Sequence, residues 1–221
     1  MIESDIITPV GAVIAKNMAR VIACKRVLDF CTGTVLGILM LPIIILAVLA
    51  IKLVDPGSGF YIQERIGMHG RPFRFFKLRT MRLNGDAWLR EYLAQDPPPK
   101  DPRIFRDARD PRILPVIGFW LRRYSIDEMP QIWNVIRGDL SLVGPRALPD
   151  YHCKLLSPEF VAFRCRVRPG ITGLWQVEAR SKADPSTIEI YDAKYLSNYS
   201  LGSDFRILCR TVLCVLRGTG I

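Results

Sequence analysis

Residues Phe30 to Ile51 read FCTGTVLGILMLPIIILAVLAI, twenty-two positions without one charge. At about 1.5 Å rise per residue, a helix of this length matches the roughly 30 Å hydrocarbon core of a bilayer. A cleaved leader is a poor reading, because the apolar run is long and starts late, after an N-terminus that carries Glu3 and Asp5. Pro42 stands in the middle of the run, where its ring removes one helical hydrogen bond and crowds the preceding turn. Basic residues flank both ends: Lys16, Arg20, Lys25 and Arg26 before it, and Lys52, Arg65, Arg71, Arg74, Lys77, Arg79 and Arg82 after it. Short segments rich in Lys and Arg favour the cytoplasmic side, so a simple span would strand one cluster on the wrong face. The sequence therefore predicts a re-entrant helix-break-helix that turns at Pro42 and leaves by the face it entered.

Asp29 lies three residues after Arg26 at the lip of this segment, where a carboxylate is costly unless paired or close to headgroups. Two readings stand side by side. One is an i,i+3 ion pair that anchors the helix start; the other is a lipid-phosphate site at Lys25 and Arg26.

The 221 residues fit one domain with an appendage, and 49% hydrophobic against 24% charged residues excludes a disordered chain. Thirty-one Lys and Arg against 21 Asp and Glu leave a net charge of +10, which points to an anionic partner: nucleic acid, an acidic membrane or a phosphorylated substrate. The six cysteines form no C-x-x-C pair, and His69 and His152 are the only histidines. A zinc site, a disulfide framework and a Ser-His-Asp triad therefore lack sequence support. Neither G-x-x-x-x-G-K-[ST] nor G-x-G-x-x-G occurs.

Beyond the breaker cluster Asp55-Pro-Gly-Ser-Gly, the β-favouring runs FYIQERIG and FRFFKLRTM, joined by Met68-His-Gly-Arg-Pro, predict a hairpin. Asp86 to Gln95 has the pattern of a short amphipathic helix, and QDPPPKDPR that of a loop. The remainder is mostly helical in pattern, ending in a helix over about Asp204 to Arg217 whose apolar spacing suits core packing or, alternatively, a membrane surface. The expected architecture is α+β, mainly helical, with one small β-hairpin and one re-entrant membrane element. The expected divisions are an N-terminal segment over 1–24, the membrane helix over 25–54 and a catalytic domain over 55–221.

The adjacent acids Asp127 and Glu128 follow Ser125, and Ser125-x-x-Glu128 has the form of a capping box. Alternatively Pro130 opens the next helix. Arg112, Arg122 and Arg123 precede the acids, and Arg146 follows on the Gly144-Pro145 turn. Arginine offers a planar fork of donors to phosphate oxygens. A carboxylate among arginines stays ionised and can attack phosphorus, and a Mg²⁺ held by a carboxylate and substrate phosphates would neutralise a diphosphate. The residues thus point to phosphoryl-type transfer at a membrane interface, without naming a substrate.

Five motifs in order carry a resemblance: KRVLDF, FYIQERIGMHGRPFRFFKLRTM, DPRI, LRRYSIDEMPQIWNVIRGDLSLVGPR and RPGITGLWQV. Over roughly residues 24–221 the chain resembles the bacterial sugar transferases, the monotopic polyprenyl-phosphate phosphoglycosyl transferases, as the catalytic core alone. The resemblance implies that Asp127 attacks the sugar-bearing β-phosphate of a UDP-sugar, releasing UMP, and that undecaprenyl phosphate then takes the phosphosugar, initiating lipid-linked exopolysaccharide, capsule or O-antigen assembly. It implies Mg²⁺ on Glu128, phosphate contacts from Arg122 and Arg146, and a basic strand carrying Lys77 and Arg79 that faces the site. It matches Pro42 to the proline of the re-entrant helix and Lys25 and Arg26 to an interfacial basic pair. The implied location is the cytoplasmic face of the bacterial inner membrane, and a homodimer is a reasonable state. Leu41 replaces the usual serine before the membrane proline, Ala147 replaces the second proline of a GPRP turn, EARS replaces an SGR-type sequence, and Tyr199 and Gly202 stand where tryptophans are common.

Two other functions compete. An ordinary glycosyl transferase would use the same donor and release UDP. A basic scaffold or nucleic-acid binder fares worse, because the arginines surround an acidic pair and do not line one basic helix.

Overall fold

The computed structural model describes residues 9–94, 110, 112–179 and 185–218. Helix α1 spans Pro9–Val54, followed by strands β1 (Phe60–Ile66) and β2 (Pro72–Leu78) and helices α2 (Gly85–Leu93), α3 (Ile117–Arg123) and α4 (Ile132–Arg137). Strand β3 (Ser141–Val143) leads to α5 (Asp150–Cys153) and α6 (Pro158–Arg164), then strand β4 (Gly170–Thr172) and helices α7 (Leu174–Glu178), α8 (Pro185–Ser197) and α9 (Leu201–Leu216). β1 and β2 form the expected antiparallel hairpin, in a register that pairs Phe60 with Leu78 and Ile66 with Pro72. The QDPPPKDPR stretch lies outside the described residues, as do Arg180 and Ser181 of EARS.

A second, parallel two-stranded pair, β3 with β4, was not expected. Three residues per strand are too few to show a period of two. Glycine makes the pairing feasible: a Cβ on Gly170 would stand 2.1 Å from the Gly144 nitrogen.

The membrane segment departs from expectation in two ways. The helix does not divide at Pro42; α1 continues through it as one element. A single proline costs only the bond that would have reached the Ile38 carbonyl, and the turns on either side carry the helix on. α1 also begins well before residue 25, at Pro9, and ends at Val54.

From Ile22 to Ile51, one stripe of α1 faces the rest of the protein. Ile22 packs on the cluster of Val143, Tyr195 and Ile207. Gly33 and Gly37 let α4 approach, with Ile132, Val135 and Ile136 within 4 Å of the Cβ that either glycine would carry. Ile44, Ala47, Val48 and Ile51 join Leu78, Leu114 and Leu121 in another cluster. The spacing of these residues is that of one helix face.

The polar members of the stripe have partners inside the protein, and these replace the expected Arg26–Asp29 pair. Lys25, 5% exposed, pairs with Asp204 of α9 and donates to the Tyr195 hydroxyl at 3.3 Å. Arg26 donates to the carbonyls of Val135 at 2.6 Å and Ile136 at 2.7 Å, capping the C-terminal end of α4. Asp29 accepts from the Leu142 amide at 3.0 Å. Its hydrogen-bond partner is thus a strand, not Arg26, and the Lys25 ammonium is committed to Asp204 and Tyr195.

The opposite face of α1 exposes thirteen large apolar side chains among the described residues, including Ile38, Leu39, Leu46 and Leu53. Each gains about 1.5–3 kcal/mol on leaving water completely, so this face is tens of kcal/mol too apolar to stay wet. In α9, Asp204 and Ile207 are buried while Phe205, Val212, Leu213 and Leu216 are exposed beside Arg206 and Arg210.

The close α1–α4 crossing predicts an asymmetric response. The Cβ of a residue at 33 would lie 3.2 Å from Val135 Cγ1, so Gly33→Leu overpacks the crossing and costs about 1–3 kcal/mol. Thr32→Leu, on the exposed side, costs little. Thermal midpoints of the two detergent-purified variants check this; equal midpoints would contradict the packing.

Candidate active site around Asp127 and Glu128

Helix α3 ends at Arg123, and the chain turns at Ser125 with φ 55°, in the left-handed region. A tight 3-10 turn over Ile126–Gln131 follows, running into α4. The capping box is absent: the Ser125 side chain caps nothing, and the Glu128 amide donates to the Ser125 carbonyl at 3.1 Å. Pro130 lies inside the 3-10 turn and does not open α4. The two acids are therefore not consumed by helix capping.

Strand β2 supplies their partner. Lys77 Nζ stands 2.8 Å from Glu128 Oε1 and 3.7 Å from Asp127 Oδ2, bringing the expected lysine and both acids together. Asn134, fully buried on α4, fixes this register: its Nδ2 donates to the Arg74 carbonyl at 2.7 Å and to Asp139 at 3.1 Å, and its Oδ1 accepts from the Phe76 amide at 3.3 Å. The asparagine sits in PQIWNV, a stretch whose helical pattern hid its role as a tie to the hairpin.

The arginines divide into three kinds. Arg122 donates to Thr80 Oγ1 at 2.8 Å. Burial pushes its pKa down, while Asp127 first and Asp110 next favour its charge, so guanidinium and nucleophile candidate share one field. Arg112 is buried and committed to Asp110, through Nε at 2.9 Å and Nη2 at 2.5 Å. Burial raises the Asp110 pKa, but the hydrogen bonds from Arg112 outweigh it and hold the carboxyl below its ordinary range. Arg112 thus supports the site through Asp110.

Arg79 does not face the acids. It is 6% exposed and donates to Asp55 Oδ2 at 2.5 Å and to the Ser58 carbonyl at 2.6 Å, closing the link between α1 and β1. The strand ends at Leu78, so the alternation that aims Lys77 at the acids does not carry to the next residue of the same parity.

Arg146 lies over the Trp175 ring at 5.1 Å and lines a narrow cleft with Arg65, Glu128, Gln131 and Gln176. Its backbone is clamped from α6 and α8: Arg164 Nη2 donates to the Arg146 carbonyl at 2.6 Å and pairs with the buried Asp192 at 2.8 Å. Arg65 was counted only among flanking charges, yet its guanidinium donates to the Ala147 carbonyl at 2.5 Å and lies 4.4 Å over Phe75. Burial lowers its pKa while the Tyr151 hydroxyl and Glu128 act the other way. Nothing in the strand pattern separates it from the solvent-facing arginines beside it.

Around two carboxylates the fold therefore gathers Lys77, Arg122, Arg65 and Arg146, a cationic surplus suited to a diphosphate. Among the described residues no three His, Cys, Asp or Glu side chains converge as a metal cage. Two adjacent carboxylates fit a different role, because Mg²⁺ takes one or two carboxylates and fills its shell with water and substrate phosphates. Pro42 is exposed on the lipid-suited face of α1, remote in role from this chemistry.

Comparison with known proteins is consistent with this geometry. The chain is 35% identical over 221 residues to an exopolysaccharide production protein, ExoY, of Rhizobium meliloti, covering 98% of this chain and 92% of the relative. It is 39% identical over 202 residues to a UDP-glucose:undecaprenyl-phosphate glucose-1-phosphate transferase of Caulobacter vibrioides, covering 87% and 69%. It is 35% identical over 209 residues to an undecaprenyl-phosphate galactose phosphotransferase of Salmonella typhimurium, covering 94% of this chain and 43% of that protein. The model of the bacterial sugar transferases matches residues 19–218, and the chain belongs to this family of transferases.

Proposed function

We propose that this chain transfers a sugar phosphate from a UDP-sugar to undecaprenyl phosphate, or a polyprenyl phosphate like it, at the cytoplasmic face of a bacterial inner membrane. The product would begin a lipid-linked glycan for exopolysaccharide, capsule or O-antigen. The observation that carries this reading is the pair Asp127–Glu128 on a turn without a capping role, bridged by Lys77 and ringed by arginines. Relatives named for undecaprenyl-phosphate sugar phosphotransfer support the substrate class. Their names specify different sugars, galactose and glucose among them, so the likeness leaves the sugar open.

In the proposed sequence Asp127 Oδ2 attacks the β-phosphorus. The new carboxylate O–P bond forms as the bond from that phosphorus to the bridging oxygen breaks, and UMP leaves with the oxygen and its electron pair. An oxygen of the polyprenyl phosphate then attacks the same phosphorus, the Asp127 O–P bond breaks, and the carboxylate is restored. Lys77 and Arg122 stand beside the Asp127 carboxylate and face the developing negative charge. Arg146, braced by Trp175 and the Arg164–Asp192 pair, suits a phosphate oxygen. A Mg²⁺ held by Glu128 would neutralise the diphosphate; Lys77, now paired with Glu128, would shift toward Asp127.

The acceptor dictates where the site must be, and α1 supports a monotopic placement. Ile22 near one end and Ile51 near the other pack on the same body, although about 39 Å of helix axis separates Lys25 from Ile51. A helix held to the charged domain at Ile22 and again at Ile51 supports a placement with both basic clusters on one side, α1 lying along the membrane surface without a break at Pro42.

With Mg²⁺, UDP-sugars and a polyprenyl phosphate, the purified protein is expected to release UMP. Asp127→Asn should lower this by about 10³-fold or more. UDP as the product would indicate direct glycosyl transfer, and full activity in Asp127→Asn would overturn the mechanism. Lys77→Met should reduce kcat by about 10²-fold with a smaller change in KM, since its charge faces the reacting carboxylate; a change in KM alone would show that it only binds donor.

A further inference from the structure

The cleft beside Glu128 holds two buried amide atoms for which the fold provides no partner. Gln131, 2% exposed, leaves its Nε2 without an acceptor, and Gln176 leaves its Oε1 without a donor. Both side chains line the same cleft as Glu128, Arg65 and Arg146. Stranding a buried amide atom is costly, and two in one cleft are unusual in a native fold. Neither is a loose end. Gln131 follows Glu128 by three residues in a 3-10 turn, so the two share a face. The Gln176 oxygen is hemmed in from α7, where a Cβ on Gly173 would stand 2.9 Å from it.

We infer that Gln131 and Gln176 bind the neutral part of the donor, through one group that accepts a hydrogen bond from Gln131 Nε2 and donates one to Gln176 Oε1. This rests on the UDP-sugar reading and deepens it. The complementarity disfavours two parts of the substrates. A phosphate oxygen would satisfy Gln131 but meet the Gln176 oxygen without a hydrogen between them, and a prenyl chain would leave both atoms unpaired. A sugar hydroxyl both donates and accepts, as does the imide edge of uracil. With Arg65 and Arg146 on the cleft wall for the phosphates, the glutamines are specificity-determining residues and the acids beside them do the chemistry.

The test uses the full chain in detergent, with wild type, Gln131→Met and Gln176→Met. Direct binding of UMP, UDP-glucose and UDP-galactose is measured by calorimetry, with thermal midpoints alongside. The inference predicts that each variant weakens UDP-sugar binding by about threefold to tenfold, the loss expected for one neutral hydrogen bond. If the group is the uracil edge, UMP weakens by the same factor and the ratio between the two sugars is unchanged. If it is a sugar hydroxyl, UMP binding is unchanged while both UDP-sugars weaken, and the ratio between them shifts when that hydroxyl is the one at C4, where the two sugars differ. Unaltered binding with a lowered midpoint would mean that the amides serve only the fold, through a trapped water, and would overturn the inference, as would wild-type protein that binds none of the three. Should Gln131→Met fail to fold, the less buried Gln176→Met decides alone. The binding readout is independent of turnover: a protein that binds as predicted but releases no UMP would retain the inference and lose the proposed reaction.

Discussion

A helix too apolar for water is joined along one stripe to a domain too charged for lipid, and the rest of the structure follows from that attachment. The stripe is built from three kinds of contact. Apolar residues sit at its two ends, small residues allow a close crossing at Gly33 and Gly37, and Lys25, Arg26 and Asp29 are paired or hydrogen-bonded from elsewhere in the chain. Buried pairs such as Lys25–Asp204 are poor sources of net stability, because desolvation offsets their attraction. Their effect here is registration. Arg26 on the end of α4 and Asp29 on β3 leave α1 one rotational setting, and that setting turns Ile38, Leu39 and Leu46 outward together.

The same attachment positions the chemistry. Helix α4, which receives Gly33, Gly37 and Arg26, follows directly from the turn that carries Asp127 and Glu128. Asn134 on that helix holds the hairpin, and the hairpin presents Lys77. From the exposed apolar face of α1 to Asp127 the path is a few packed elements, so the proposed site would need no flexible linker to work at a membrane surface. Arg146 arrives from the opposite wall, its carbonyl fixed by Arg164 from α6 and its guanidinium braced on Trp175.

Much of this was legible in the chain. The uncharged run of Phe30 to Ile51 announced α1, the β-favouring runs joined by Met68 to Pro72 announced the hairpin, and adjacent acids among arginines announced the candidate site. What escaped was non-local. The partners of Lys25, Arg26 and Asp29 lie between 109 and 179 residues away, so local spacing could suggest only a neighbour or a headgroup. Arg79 shares the parity of Lys77 but lies past the strand end, where parity no longer fixes direction. The capping box failed because Ser125 takes a left-handed conformation that its residue type does not advertise. Arg65 and the two glutamines became visible only when the cleft assembled them from three separate segments.

The account depends most on both ends of α1 lying on one side of the bilayer. Single-cysteine probes at Arg20→Cys and Ser58→Cys, in a chain whose six native cysteines are replaced, can be labelled with a membrane-impermeant maleimide in right-side-out spheroplasts and in inside-out vesicles. The account predicts that both sites label in the inside-out vesicles and neither does in intact spheroplasts. Labelling of the two sites from opposite faces would contradict it.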